Sequence, residues 1–199
     1  MRGRGGETSK SNFGKSDLQI PMRCFIAINL PPEIKDALEI TIKNLAEVNR
    51  NAKINWTRVE NLHLTLHFLD EITESQIELV AAELQKITTE YNRVNVSLDA
   101  LGAFPDIKNP RAIFIGIKDG QILEKIQKKI GFELGRLGFK IDTRPWEAHI
   151  TLGRVKTGAV KLDFKVPIGE FGIKSIELMK STLTPSGPIY EVIKSFELQ

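Results

Sequence analysis

This chain has little cysteine, tryptophan, tyrosine or histidine, and it has no long apolar run. A single cysteine, Cys24, rules out an internal disulfide and any zinc site built on cysteines. It sits in the apolar run Cys24-Phe25-Ile26-Ala27-Ile28 and reads as a small core residue. No apolar stretch approaches the roughly 18–20 residues of a membrane span. The first sixteen residues are rich in Gly, Ser and charge and lack the apolar centre of a signal peptide. A cytoplasmic location is the expectation. Charge of one sign is also scarce. The net charge is +3, and two of those three units lie before residue 22, where Arg2, Arg4, Lys10 and Lys15 outweigh Glu7 and Asp17. A body so nearly neutral is no electrostatic sponge for long nucleic acid, which requires many phosphate contacts. It can still hold one phosphate or a strand end. No Asp/Glu/His cluster shows metal-ligand spacing, so neither metal nor cofactor is expected. At 199 residues with 41% hydrophobic content, the chain has enough material for one packed domain, or for two small lobes sharing a groove.

Residues 1–21 are polar, have almost nothing to bury, and are expected to be a disordered tail or to precede the true start at Met22. From residue 22 the pattern is mixed. Arg23 to Leu30 reads as a central strand, ended by Pro31-Pro32, which opens a helix. Ile34, Leu38, Ile42 and Leu45 form that helix's apolar stripe. Lys53–Thr57 and Leu62–Leu69 read as strands. A second helix starts at a Thr73–Gln76 capping box and carries Ile77, Val80, Ala81, Leu84 and Ile87. Val94–Leu101 and Ala112–Ile117 are strands. A third helix carries Ile122, Ile126, Ile130, Leu134 and Leu137 and stops near Gly138. Leu162–Val166, Ile173–Leu183 and Ile189–Phe196 complete the expected strands, with Pro185–Pro188 as the last turn. There are too many hairpins for a doubly wound parallel sheet.

Two of the three histidines open the same tetrapeptide. His63-Leu64-Thr65-Leu66 is echoed by His149-Ile150-Thr151-Leu152, 86 residues further on. Alternation along a strand puts each His and Thr on one face and the aliphatic pair on the other. Two such faces across a groove would surround one small anion with two imidazoles and two hydroxyls. Imidazole titrates near neutrality, so one ring can act as a base while the other acts as an acid. Hydrolysis of a phosphodiester needs that combination, with hydroxyl donors on the non-bridging oxygens. A non-catalytic nucleotide-binding cleft would use the same residues. By strand parity His67 also faces the groove, as a peripheral substrate contact. Lys156 could extend a basic rim. Trp56, Phe104 and Trp146 could stack a base.

From Met22 to Gln199 the chain resembles the RNA 2′,3′-cyclic phosphodiesterases of the 2H phosphoesterase superfamily, the group formerly called 2′-5′ RNA ligases. The resemblance rests on Arg23-Cys24-Phe25-Ile26-Ala27, Asn61–Leu66, Gly102-Ala103-Phe104-Pro105, Pro110-Arg111, Ala148–Val155 and Gly187-Pro188-Ile189-Tyr190. It implies an α+β, bilobed fold: two pseudo-symmetric lobes of mostly antiparallel sheet, flanked by helices, with one His-x-Thr motif per lobe in a central cleft. It also implies His63 as proton donor to the leaving ribose oxygen, His149 as proton acceptor activating water, and a 2′-phosphate product. Thr65, Thr151 and Arg154 would bind the phosphate. Arg154 has the parity of the aliphatic face, so either a bulge at Gly153 re-aims it or the strand ends there. Arg111 and Tyr190 belong to the resemblance with no role beyond packing. The implied substrate is RNA with a 2′,3′-cyclic phosphate end or a small cyclic nucleotide. Cleavage or joining of 2′-5′ linkages is the other reading of the same site. A monomer without an obligatory protein partner is expected.

Overall fold

The computed structural model describes residues 20–164, 166 and 169–199, so the tail expected to be disordered lies, through residue 19, outside the described residues. The elements run in order β1 (Met22–Asn29), α1 (Pro32–Val48), β2 (Lys53–Trp56), a 3₁₀ turn (Val59–Asn61), β3 (His63–Ile72), α2 (Glu74–Thr88), β4 (Val94–Phe104), β5 (Ala112–Lys118), α3 (Gln121–Arg136), β6 (His149–Thr157), β7 (Glu170–Ile173), β8 (Ser175–Thr184) and β9 (Gly187–Glu197).

The helices form where the apolar spacing demands them. α1 starts behind Pro31-Pro32 and buries Ile34, Leu38, Ile42 and Leu45. α2 is closed by the expected capping box, with the side chains and backbone of Thr73 and Gln76 satisfying each other. α3 buries Leu123, Ile126, Ile130 and Leu134 and ends before Gly138, whose φ of 87° suits a residue without a Cβ. All three stripes share one core with Cys24, Ile26, Ile28, Leu64, Leu66, Ile113, Ile115, Ile150 and Leu152. Each fully buried aliphatic side chain there contributes roughly 1.5–3 kcal/mol. The helices therefore cover one face of the sheet. The opposite face carries a small separate cluster of Phe25, Ala27, Met179 and Tyr190.

The expected two lobes are the halves of one antiparallel sheet, in the order β7-β4-β5-β6-β3-β1-β8-β9, with β2 also paired to β6. Along that path, leaving β2 aside, four strands lie on each side of the seam between β6 and β3. That seam has a single registered pair, Leu64 with Ile150. The two motif strands are thus neighbours at the centre of the sheet, joined where their aliphatic residues meet.

Two expected strands differ. Among the described residues of Leu162–Val166 no strand forms. Just before it the backbone is tied to a side chain, Asn49 Nδ2 donating to Lys161 O at 2.9 Å and Lys161 N donating to Asn49 Oδ1 at 2.7 Å, and Phe164 N donates back to Leu162 O at 2.8 Å. The single run expected over Ile173–Leu183 is split at Lys174, because β7 pairs with β4 at one edge of the sheet while β8 lies between β1 and β9 near the other.

Candidate active site

The Leu64–Ile150 pair fixes the geometry of the cleft. In an antiparallel ladder the flanking residues fall opposite one another, so His63 lies across from Thr151 and Thr65 lies across from His149. Leu64 and Ile150 are buried in the helix-side core, which turns both histidines and both threonines to the other face, where all four are half-buried. Imidazole and hydroxyl thus alternate at the four corners of this patch of the sheet face.

Each imidazole is held in the same way. His63 Nδ1 lies 2.7 Å from the carbonyl oxygen of Asn61, and His149 Nδ1 lies 2.7 Å from that of Glu147. A carbonyl only accepts, so Nδ1 carries the proton in both rings and Nε2 is left for chemistry. His63 Nε2 is 2.9 Å from Thr65 Oγ1, whose hydroxyl donates to it while the ring is neutral. Aromatic walls flank both rings. Phe25 and Tyr190 lie 5.1 and 5.3 Å from His63, the latter edge-on. Phe104 and Phe114, stacked on each other at 4.2 Å, lie 5.0 and 5.4 Å from His149. Gly102 makes room for this wall, since a Cβ there would sit 2.4 Å from the Phe114 ring.

Burial lowers the pKa of both catalytic candidates below the ordinary imidazole value of 6.5. The bonds to Asn61 O and Glu147 O oppose that shift. Lys35 and His149 add repulsion at His63, and Arg154 adds it at His149. The Glu147 carboxylate opposes the shift at His149, while the positive charges of Lys35 and Arg154 beside the two rings favour an anion.

Arg154 reaches this face through a bulge. Phe114 pairs with Thr151 but Ile113 pairs with Gly153, so Leu152 is an extra residue and Ala112 comes opposite Arg154. Parity thereby changes within β6, and Arg154 joins the side of Phe114 and Thr151. Gly153 permits the local packing: a Cβ would meet Trp56 at 2.9 Å. Lys156 is exposed and lies at a second irregularity, in the register of β2 with β6, two residues beyond Arg154.

His67 is not in the groove, contrary to strand parity. Ile26 pairs with His67 and Ala27 with Thr65, so Leu66 is an extra residue on β3. That bulge turns His67 into the core, 4% exposed, where its Nε2–H donates to Gln127 O of α3 at 2.8 Å. The position on the open face passes to Phe68. Trp146 and Trp56 are also structural: the indole of Trp146 donates to Thr65 O at 3.1 Å, and Trp56 packs on Gly153. Of the three aromatics considered for stacking, only Phe104 touches an imidazole.

Several contributors were not legible in the sequence. Tyr190, assigned only packing, lies on His63 and is close enough to feel the charges of Arg154 and Arg23. Lys35 donates to Glu60 O at 3.1 Å beside the first motif. Asn61, 8% exposed, donates through Nδ2 to Pro188 O at 2.8 Å, tying the β8–β9 hairpin to the turn that holds His63. Each reaches the site through chain crossings of 25 to 127 residues, beyond any local pattern.

Residues 28–114 match the LigT-like phosphoesterase family. An RNA 2′,3′-cyclic phosphodiesterase of Methanocaldococcus jannaschii is 37% identical over 183 residues, covering 88% of this chain and 100% of that protein. One from Archaeoglobus fulgidus is 31% identical over 182 residues, covering 88% and 100%. A crystal structure of a Thermus thermophilus protein superposes with a TM-score of 0.73 at 27% identity, covering 89% of this chain and 98% of that one.

Proposed function

The chain belongs to the LigT-like phosphoesterase family and is a hydrolase of 2′,3′-cyclic phosphate on RNA ends, and we propose that His63 and His149 carry the reaction as a general acid and general base. The observation that supports this most is the pairing of Leu64 with Ile150, which sets His63 opposite Thr151 and Thr65 opposite His149, with both rings turning Nδ1 to a carbonyl and Nε2 away from it.

The cyclic phosphodiester enters between the two strands. Thr65, Thr151 and Arg154 donate to its non-bridging oxygens, compensating the charge that builds there. His149, neutral, takes a proton from water at Nε2 as the water oxygen bonds to phosphorus. The phosphorus–O3′ bond breaks, and His63, protonated, delivers its Nε2 proton to O3′. The product is a 2′-phosphate beside a free 3′-hydroxyl. His63 ends neutral and His149 protonated, and exchange with solvent resets both.

Thr65 links protonation to binding. While His63 is neutral, the Thr65 hydroxyl donates to its Nε2. Once His63 is protonated, Nε2 becomes a donor and the Thr65 hydroxyl is released to serve the phosphate. Binding of the anion and charging of the general acid are then one event.

The test is to incubate an RNA oligomer bearing a 2′,3′-cyclic phosphate and determine the product by ³¹P NMR. Conversion to a 2′-phosphomonoester, with activity that survives chelator, is expected. Release of a 3′-phosphate, or turnover only of 2′-5′ linkages, would contradict it.

A further inference from the structure

We propose that Arg23, Ser181 and Tyr190 form a second phosphate site, which holds the phosphodiester one nucleotide upstream of the cyclic end and makes an oligonucleotide a better substrate than a cyclic mononucleotide. This inference rests on the RNA-end hydrolase reading above. The register of three strands brings the residues into one row. Cys24 of β1 pairs with Lys180 of β8, so one step further along the same two strands Arg23 comes opposite Ser181. Ser181 pairs in turn with Tyr190 of β9. Cys24 lies in the helix-side core, which turns Arg23 and Ser181 to the other face, where Phe25, Met179 and Tyr190 cluster.

All three residues carry donors that the rest of the protein leaves open. Arg50, Arg93, Arg136 and Arg144 each lie against a carboxylate. Arg23 is exposed and makes no ion pair among the described residues, although Glu71 faces it from β3. On β8 and its hairpin, the hydroxyls of Ser175, Thr184 and Ser186 are bonded within the protein. Those of the half-buried Ser181 and Tyr190 have no such partner among the described residues.

Tyr190 links this row to the reaction centre. Its ring stands edge-on to His63 at 5.3 Å and to Phe25 at 4.9 Å. The row thus begins one aromatic ring away from the imidazole that meets the leaving oxygen. That is the scale of the step between successive phosphates of an RNA chain. Burial raises the pKa of the Tyr190 phenol, and the charges of Arg154 and Arg23 oppose that rise, so its hydroxyl stands in the field of both guanidiniums. Arg154 is assigned to the reacting phosphate, which leaves Arg23 for a second one. A planar guanidinium flanked by two hydroxyl donors suits a phosphodiester anion.

The test compares three substrates: 2′,3′-cyclic AMP, the dinucleotide ApA ending in a 2′,3′-cyclic phosphate, and the same dinucleotide with an uncharged methylphosphonate link. Wild type should turn over the charged dinucleotide with a kcat/KM at least roughly five-fold above the other two, the scale of one charge-assisted contact. Arg23→Ala, its folding verified by thermal melt, should lose that advantage while its kcat/KM for cyclic AMP stays within about two-fold of wild type. Arg23→Lys should keep part of the advantage. Equal kcat/KM of wild type on the charged and uncharged dinucleotides, or an equal loss on all three substrates in Arg23→Ala, would overturn the assignment. Wild-type protein inert toward all three would instead overturn the hydrolase reading, and this inference with it.

Discussion

Asn61 grips His63 through its backbone and the β8–β9 hairpin through its side chain: its carbonyl accepts from His63 Nδ1 at 2.7 Å, and its Nδ2 donates to Pro188 O at 2.8 Å. Glu147 offers His149 the same carbonyl contact but is itself exposed. The proposed acid is clamped by a remote hairpin, whereas the proposed base is held by a residue at the surface. Arg58, donating to Ser186 O at 2.9 Å, adds a second tie between the same two segments.

Replacing Asn61 by Ala keeps the carbonyl but frees the turn. It also removes the bond to the half-buried Pro188 O, a loss on the order of 1 kcal/mol. The expected result is a kcat reduced by about ten-fold with a smaller change in KM, and an altered alkaline limb in the pH profile. A variant that loses thermal stability but keeps the wild-type pH profile would show that Asn61 serves the fold alone.

The pH dependence follows from the lowered imidazole pKa values. The proposed mechanism needs His63 charged and His149 neutral. Burial holds both rings below 6.5 in the free protein, so His63 loses its proton before neutrality is reached and kcat/KM declines on its alkaline side from below that value. A bound phosphodiester anion favours the charged ring. The alkaline limb of kcat should therefore lie at higher pH than that of kcat/KM. Steady-state rates from pH 4.5 to 9 would check this, and coincident limbs would contradict it.

His67 should make stability fall in acid. Burial lowers its pKa, so above about 6.5 it is neutral folded or unfolded and its contribution is fully present. As pH drops below 6.5 the unfolded chain takes up a proton that the folded chain resists. Stability then declines toward the folded pKa, by at most about 1.4 kcal/mol per pH unit for this group. Denaturant melts at pH 5 and 7.5 should show a smaller difference in His67→Gln than in wild type.

Gly131 tests the same contact from α3. Gly→Ala within a helix ordinarily stabilises by roughly 0.5–1 kcal/mol. Here the new Cβ would sit 2.9 Å from His67 Cε1 and 3.3 Å from Ile141 Cγ2. Overpacking of that kind costs about 1–3 kcal/mol. Gly131→Ala should therefore lower the denaturation midpoint, and pairing it with His67→Ala should recover part of the loss. An increase in stability for Gly131→Ala alone would refute the contact.

How much was legible in the sequence follows from where the information is stored. The helices were readable because an apolar stripe runs along each element and α2 carries its own capping residues; only the ends of the α3 stripe differ, where Leu123 is buried in place of Ile122 and Leu137 is exposed. The motif histidines were readable because the pattern repeats. Failures cluster at bulges. One extra residue at Leu66 shifts the side chains that follow, which moved His67 into the core and Phe68 to the cleft, until a second irregularity before Asp70 restores the order. The same device at Leu152 brought Arg154 to the cleft face, and Gly153, which hinted at it, marks the close approach of Trp56. Tyr190 and the side-chain tie of Asn61 were unreadable because Tyr190 meets His63, and Asn61 meets Pro188, from opposite ends of the chain.

The most direct test of the two-imidazole mechanism is single-turnover hydrolysis of a 2′,3′-cyclic-phosphate RNA end by wild type, His63→Ala and His149→Ala, with folding of each verified by its thermal melt. The mechanism predicts that each folded variant loses at least roughly 10²-fold in the chemical step. Either folded variant turning over at the wild-type rate would contradict it.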